Sequence, residues 1–178
     1  MFKNFDTSSF KKQKPPSDNS FDTMQEVKEL EKTPLNKKFV KENDDIEAAF
    51  KKTAEQKNIK DYDKSIAAKL IKASAPIILK LKKHFDRPRP KVLAKKLNIN
   101  MKDIEMDSMK TPSYPPGHSV QGILIGKVLG DEYPEARTAF AKRGKNISDS
   151  RRSARAHYKS DSKMGEKLGD AMYNFLKK

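Results

Sequence analysis

Apolar residues along this chain recur at helical spacing, and no stretch alternates apolar and polar residues as a half-buried strand would. Ile123, Val128 and Leu129 form one such stripe, and Leu168, Met172, Phe175 and Leu176 form another. Stripes of this kind are core-facing, and they predict an all-α, single-domain helical bundle. Helices are expected over about 22–32, about 43–56 after an Asn43-Asp44-Asp45 start, and about 62–86 with Pro76 inside. Further helices are expected over about 90–97, 117–130, 133–145 and 149–177. Arg87-Pro88-Arg89-Pro90 should end the long third helix, because a proline disfavours helical backbone in the residue before it. Residues 98–116 read as a connection, and no internal repeat is present. Residues 1–20 are polar and basic, with Lys11-Lys12 and Pro15-Pro16, and read as a flexible tail; 21–178 form the domain.

Composition narrows the function classes. The 178 residues suffice for one respectable core, and the absence of cysteine excludes both a disulfide framework and thiol chemistry. Lys+Arg outnumber Asp+Glu by 39 to 24, a net charge of +15 that favours anionic partners. Most of this excess is lysine scattered along helical stretches, as on a solvated face. With no recognised binding motif or aromatic platform, nucleic-acid binding is the alternative reading rather than the first one. The N-terminus lacks a secretory apolar core. The best apolar run, Ala73 to Leu81, is broken by Pro76 and is too short to span a membrane. The corresponding expectation is a cytoplasmic protein without a membrane span; a homo-oligomer stays open.

Three clusters carry chemistry: Lys82 followed after six residues by Arg89-Pro90; Ser113-Tyr114-Pro115-Pro116-Gly117-His118; and Ser150-Arg151, five residues, His157, three residues, Asp161. Together they supply three fixed cations, two histidines and a carboxylate, the set that a tetrahedral oxyanion requires. On a helix, His157 and Asp161 would lie one turn apart on one face. The carboxylate could then accept a proton from one imidazole nitrogen and leave the other as a nucleophile. Arg151 would enter from the turn before that helix, with Ser148, Asp149 and Ser150 as candidate N-caps. Arginine donates two parallel hydrogen bonds to a phosphoryl group, and lysine adds a compact charge.

Read together, the clusters resemble the type 2 phosphatidic acid phosphatase superfamily, and within it the soluble bacterial class A acid phosphatases. That pattern is a lysine, six residues, Arg-Pro; then Pro-Ser-Gly-His; then Ser-Arg, five residues, His, three residues, Asp. The first and third elements are intact. Lys80 to Arg87-Pro88 is an overlapping match to the first, but the later register places Phe85 three residues after the lysine, as is common in the family. The resemblance covers roughly residues 60–170. One departure stands in the second element, where Pro116 replaces the family serine and so removes a hydroxyl and a backbone N–H.

The resemblance implies a helical bundle of the acid phosphatase/vanadium haloperoxidase type, with its site at the helix ends. It implies hydrolysis of phosphomonoesters through a phosphohistidine. His157 would attack phosphorus, Asp161 would orient it, and His118 would protonate the leaving oxygen and then activate water. Lys82, Arg89, Arg151 and the Gly117 backbone N–H would hold the phosphoryl oxygens. The scheme uses no cofactor and no metal, and its substrate is a small phosphorylated molecule such as a nucleotide or sugar phosphate. A vanadium-dependent haloperoxidase, which uses the same pocket to hold vanadate, is the alternative within the superfamily.

Overall fold

The computed structural model describes residues 1–178 and contains nine α-helices and no strand. No helix is long and apolar enough to cross a membrane. Following the short α1 (Ser8–Lys11), α2 (Phe21–Lys32) starts where Ser20 accepts a hydrogen bond from Thr23 N. The helix expected over about 43–56 is α4 (Ile46–Gln56), and α3 (Lys37–Asp44) precedes it where no helix was expected. Asp45 breaks them apart: its backbone is extended, and its carboxylate caps α4 by accepting from Ala48 N at 3.0 Å.

The long helix expected over 62–86 is α5 (Ser65–Phe85), continuous through Pro76 and ended by Asp86 in the left-handed region. α6 (Pro90–Lys96) begins with proline at its first position, where the missing N–H costs nothing. The connection to α7 (Gly117–Glu132) carries one 3₁₀ turn, Asp107–Lys110. α8 (Arg137–Ser153) and α9 (Lys159–Leu176) complete the chain.

α7 is the central helix, packed against α5, α8 and α9 and burying Val120, Leu124, Ile125 and Leu129. Its closest neighbour is α8, and glycine makes that approach possible. A Cβ on Gly122 would stand 2.7 Å from the Gly144 carbonyl oxygen, a separation real side chains do not tolerate. Phe50, Leu70, Leu81, Phe140, Ile147, Leu168 and Met172 fill the remaining core.

The first 20 residues, read from sequence as a flexible tail, lie packed against the domain. Phe2 and Phe10 are buried in the main core, and Phe5 meets Phe175 of α9 edge-on, ring centroids 5.5 Å apart. The Gln13 carbonyl accepts a hydrogen bond from the Tyr114 hydroxyl at 2.7 Å. Apolar area explains this placement: three phenylalanines left in water would forfeit roughly 1.5–3 kcal/mol each.

α5 delivers its C-terminus, α7 its N-terminus, α8 its C-terminus and α9 its N-terminus to one end of the bundle. The three sequence clusters sit on these four termini and the connections between them.

Candidate active site

The sequence-derived site residues come together at that end of the bundle. Lys82 is in the last turn of α5, Arg89 caps α6, Gly117 and His118 open α7, Arg151 closes α8, and Asp161 sits in the first turn of α9. A pocket of about 260 Å³ is lined by Lys82, Arg89, Gly117, His118 and His157. Arg151 and Asp161 are fully buried behind it.

Two expectations about the local backbone are corrected. Ser148, Asp149 and Ser150 do not cap a helix; they lie inside α8, which runs on to Ser153. His157 is not on a helix but in the connection before α9. α8 ends where Ala156 N donates to the Arg151 carbonyl and Arg155 N to the Arg152 carbonyl, with Arg155 left-handed at φ 57°. Arg155 is held in that conformation through its guanidinium, which donates to the carbonyls of Thr33 and Lys102. Asp161 is the third residue of α9 and accepts from Tyr158 N at 3.2 Å, so one carboxylate caps the helix and faces His157.

The hydrogen bonds of His157 define its tautomer. Arg89 Nη1, which can only donate, lies 2.8 Å from Nε2, so Nε2 carries the lone pair. Nδ1 then bears the proton and donates to Asp161 Oδ2 at 3.3 Å. Burial pushes the His157 pKa down to about 3, against the effect of the hydrogen bond it donates to Asp161. Burial alone would raise the Asp161 pKa, but the His157 hydrogen bond and the Arg87 charge outweigh it and hold the carboxyl below its ordinary value. The imidazole is therefore neutral across the ordinary pH range, with its Nε2 lone pair held by Arg89.

Lys82 and Arg89 face the pocket without a carboxylate partner, whereas Arg151 behind it is paired with Asp44. Lys82 donates to the Pro112 carbonyl; burial, and then the Arg89 charge, press its pKa down to about 7. Arg89 gives its other donors to the carbonyls of Thr111, Ala156 and Ser108, and burial lowers it to about 10. Arg151 donates from Nη1 to Asp44 Oδ1 at 2.8 Å, while its Nη2 is buried without a partner. Buried charge without a counter-ion is costly, and an anion in this pocket would relieve the cost.

His118 Nε2 lies 2.8 Å from the Asp44 carbonyl oxygen, so Nε2–H is the donor. Burial, then the Arg151 charge, lower its pKa to about 4. Pro116, at the N-cap of α7, is buried and makes no side-chain cap. Two contributors were not legible as site residues: Asp44, and Ser113, whose hydroxyl donates to Asp161 Oδ2. Arg87 entered only as an alternative register, yet it is buried against Asp161. No three metal-ligating side chains come together anywhere in the chain.

Comparison with known proteins agrees with the motifs. A non-specific acid phosphatase of Salmonella typhimurium is 36% identical over 88 residues, and one of Salmonella typhi is 35% identical over 88 residues. Over that stretch the chain is similar to these acid phosphatases. The similar stretch makes up 49% of this chain and spans only 35% of the length of either relative. No family model matches the chain.

Proposed function

We propose that the protein is a phosphatase that hydrolyses small phosphomonoesters through a phosphohistidine on His157. The observation that carries this reading is the neutral His157, its Nδ1–H on Asp161 and its Nε2 lone pair turned toward Arg89, which with Lys82 lines the pocket and gives its hydrogen bonds to carbonyls rather than to a carboxylate. The phosphoryl group of the substrate takes donors that Arg89, Lys82 and Arg151 now give to carbonyls and to Asp44, and Arg89 releases Nε2 as it does so. Nε2 then forms a bond to phosphorus while the bond from phosphorus to the leaving alcohol oxygen breaks, and His118, protonated once the bound phosphoryl anion raises its pKa, supplies the proton that oxygen needs. In the second half, His118 takes a proton from water, whose oxygen displaces His157 and yields inorganic phosphate. Splitting one displacement into two lowers each barrier, and the fixed cations stabilise charge on the equatorial oxygens in both.

The test is hydrolysis of p-nitrophenyl phosphate by wild type and His157→Ala. Wild type is expected to turn over and to yield an acid-labile phosphohistidine on rapid quenching, and the variant to be inactive. Near-wild-type turnover in His157→Ala refutes the assignment.

A further inference from the structure

We propose that Arg87 is a positioning residue for this reaction, clamping the Asp161 carboxylate so that its second oxygen faces His157, with Glu26 of α2 holding Arg87 from behind. The role rests on the phosphatase reading above and deepens it. Arg87 stands on the stretch between α5 and α6, two residues before Arg89, and only 2% of it is exposed. Its Nη1 lies 2.5 Å from Asp161 Oδ1 and donates to Ser160 Oγ at 2.8 Å. Its Nη2 donates to Glu26 Oε2 at 3.2 Å and to Thr23 Oγ1 at 3.3 Å. The guanidinium lies over the Tyr158 ring, 3.9 Å from the centroid, which fixes its plane. Glu26 is fixed in turn, accepting from Ser160 N at 2.6 Å and from Ser160 Oγ at 2.7 Å.

The result is a line of alternating charge: Glu26, Arg87, Asp161, then the imidazole. Asp161 is wholly buried, and a carboxylate there stays ionised only with a cation in contact. Oδ1 is taken up by Arg87. Oδ2 is shared among the Ser113 hydroxyl, Tyr158 N–H and His157 Nδ1–H. Arg87 does not line the pocket, so it has no contact with substrate to lose. The two arginines of Arg87-Pro88-Arg89-Pro90 therefore divide the work: Arg89 reaches Nε2 of His157, and Arg87 reaches the carboxylate that holds Nδ1.

Removing Arg87 has a directional consequence for pH dependence. Asp161 is faced by His157 and Tyr158 from the α8–α9 connection, by Arg87 with Glu26 behind it, and by Ser113 and Tyr114 before α7. The Lys82 and Arg89 charges lie within Coulombic range. Loss of the contacting cation raises the carboxyl pKa, so Asp161 takes up a proton, and lets go of Nδ1, at higher pH than in wild type.

The experiment measures p-nitrophenyl phosphate kinetics against pH, and sulfate affinity, for wild type, Arg87→Met and Arg87→Lys. In Arg87→Met, kcat is expected to fall about 100-fold with the acid limb of kcat/KM moved to higher pH and sulfate affinity within about twofold. Arg87→Lys keeps the charge but cannot bridge Asp161 and Glu26; it should restore the acid limb while kcat stays low. Unchanged kcat in a folded Arg87→Met overturns the role, as does a parallel fall in kcat and sulfate affinity. Should Arg87→Met not fold, Arg87→Lys decides alone, and wild-type kcat in it overturns the role. A wild type that leaves the substrate intact overturns the phosphatase reading along with the role, whereas wild-type turnover with an indifferent Arg87→Met overturns the role only.

Discussion

Lys82 makes anion binding pH-dependent in a window where nothing else in the pocket titrates. Its pKa, about 7, is depressed first by burial and then by Arg89. The sign follows directly: below that value Lys82 is charged and draws an anion, and above it the charge is lost. His118 at about 4 and His157 at about 3 are neutral throughout the neutral range, and Arg89 at about 10 stays charged. Sulfate is the suitable probe because it keeps both charges where phosphate would itself titrate.

If only the charged form binds, the fraction competent falls from about nine-tenths at about pH 6 to about one-tenth at about pH 8. The affinity for sulfate should then weaken about tenfold, or about 1.4 kcal/mol. Isothermal titration at about 0.15 M salt measures it, since there the Debye length of about 8 Å mutes distant surface charge. Lys82→Met should bind more weakly and with no slope across the same window. A flat wild-type profile, or an undiminished slope in Lys82→Met, would refute the argument that this lysine is the titrating group.

Two further predictions test Pro116, which stands where the resembled phosphatases carry serine, and the packing beneath the site. Pro116→Ser should raise catalytic efficiency or vanadate affinity about tenfold by restoring a donor beside Gly117, worth about 1.5 kcal/mol; equal kinetics in Pro116→Ser and Pro116→Ala would show that the hydroxyl adds nothing. Gly122→Ala should lower stability by about 1–3 kcal/mol in chemical denaturation despite alanine's better helix propensity, because the new Cβ meets the Gly144 carbonyl; a stabilised variant would contradict the contact.

What could be read from the sequence, and what could not, divides along physical lines. The helical class and most boundaries were legible because apolar periodicity and proline punctuation are local signals: α2, α5 and α6 fall close to their expected spans. The break between α8 and α9 was not. The turn there passes through Ser153-Ala154-Arg155-Ala156, with no glycine or proline, and its left-handed position is taken by an arginine anchored to carbonyls remote in sequence. α3 was missed for a different reason, since its eight residues, Lys37–Asp44, are too few for an apolar stripe to repeat.

At the site, the cations and histidines were legible because their spacing is fixed by the chemistry they share. Asp44 and Glu26 were not, because each comes from a helix with no motif of its own and reaches the cluster only through tertiary packing. The same distinction explains the first 20 residues: Phe2, Phe5 and Phe10 follow no helical stripe, and only the groove beside Phe175 shows what they cover. Residues that bind the reacting group recur at set intervals along the chain, while those that hold them in place are recruited from wherever the fold brings a partner. Arg87 belongs to the second set, although its position two residues before Arg89, seven after Lys80, matches the spacing of the first and so concealed the side on which it works.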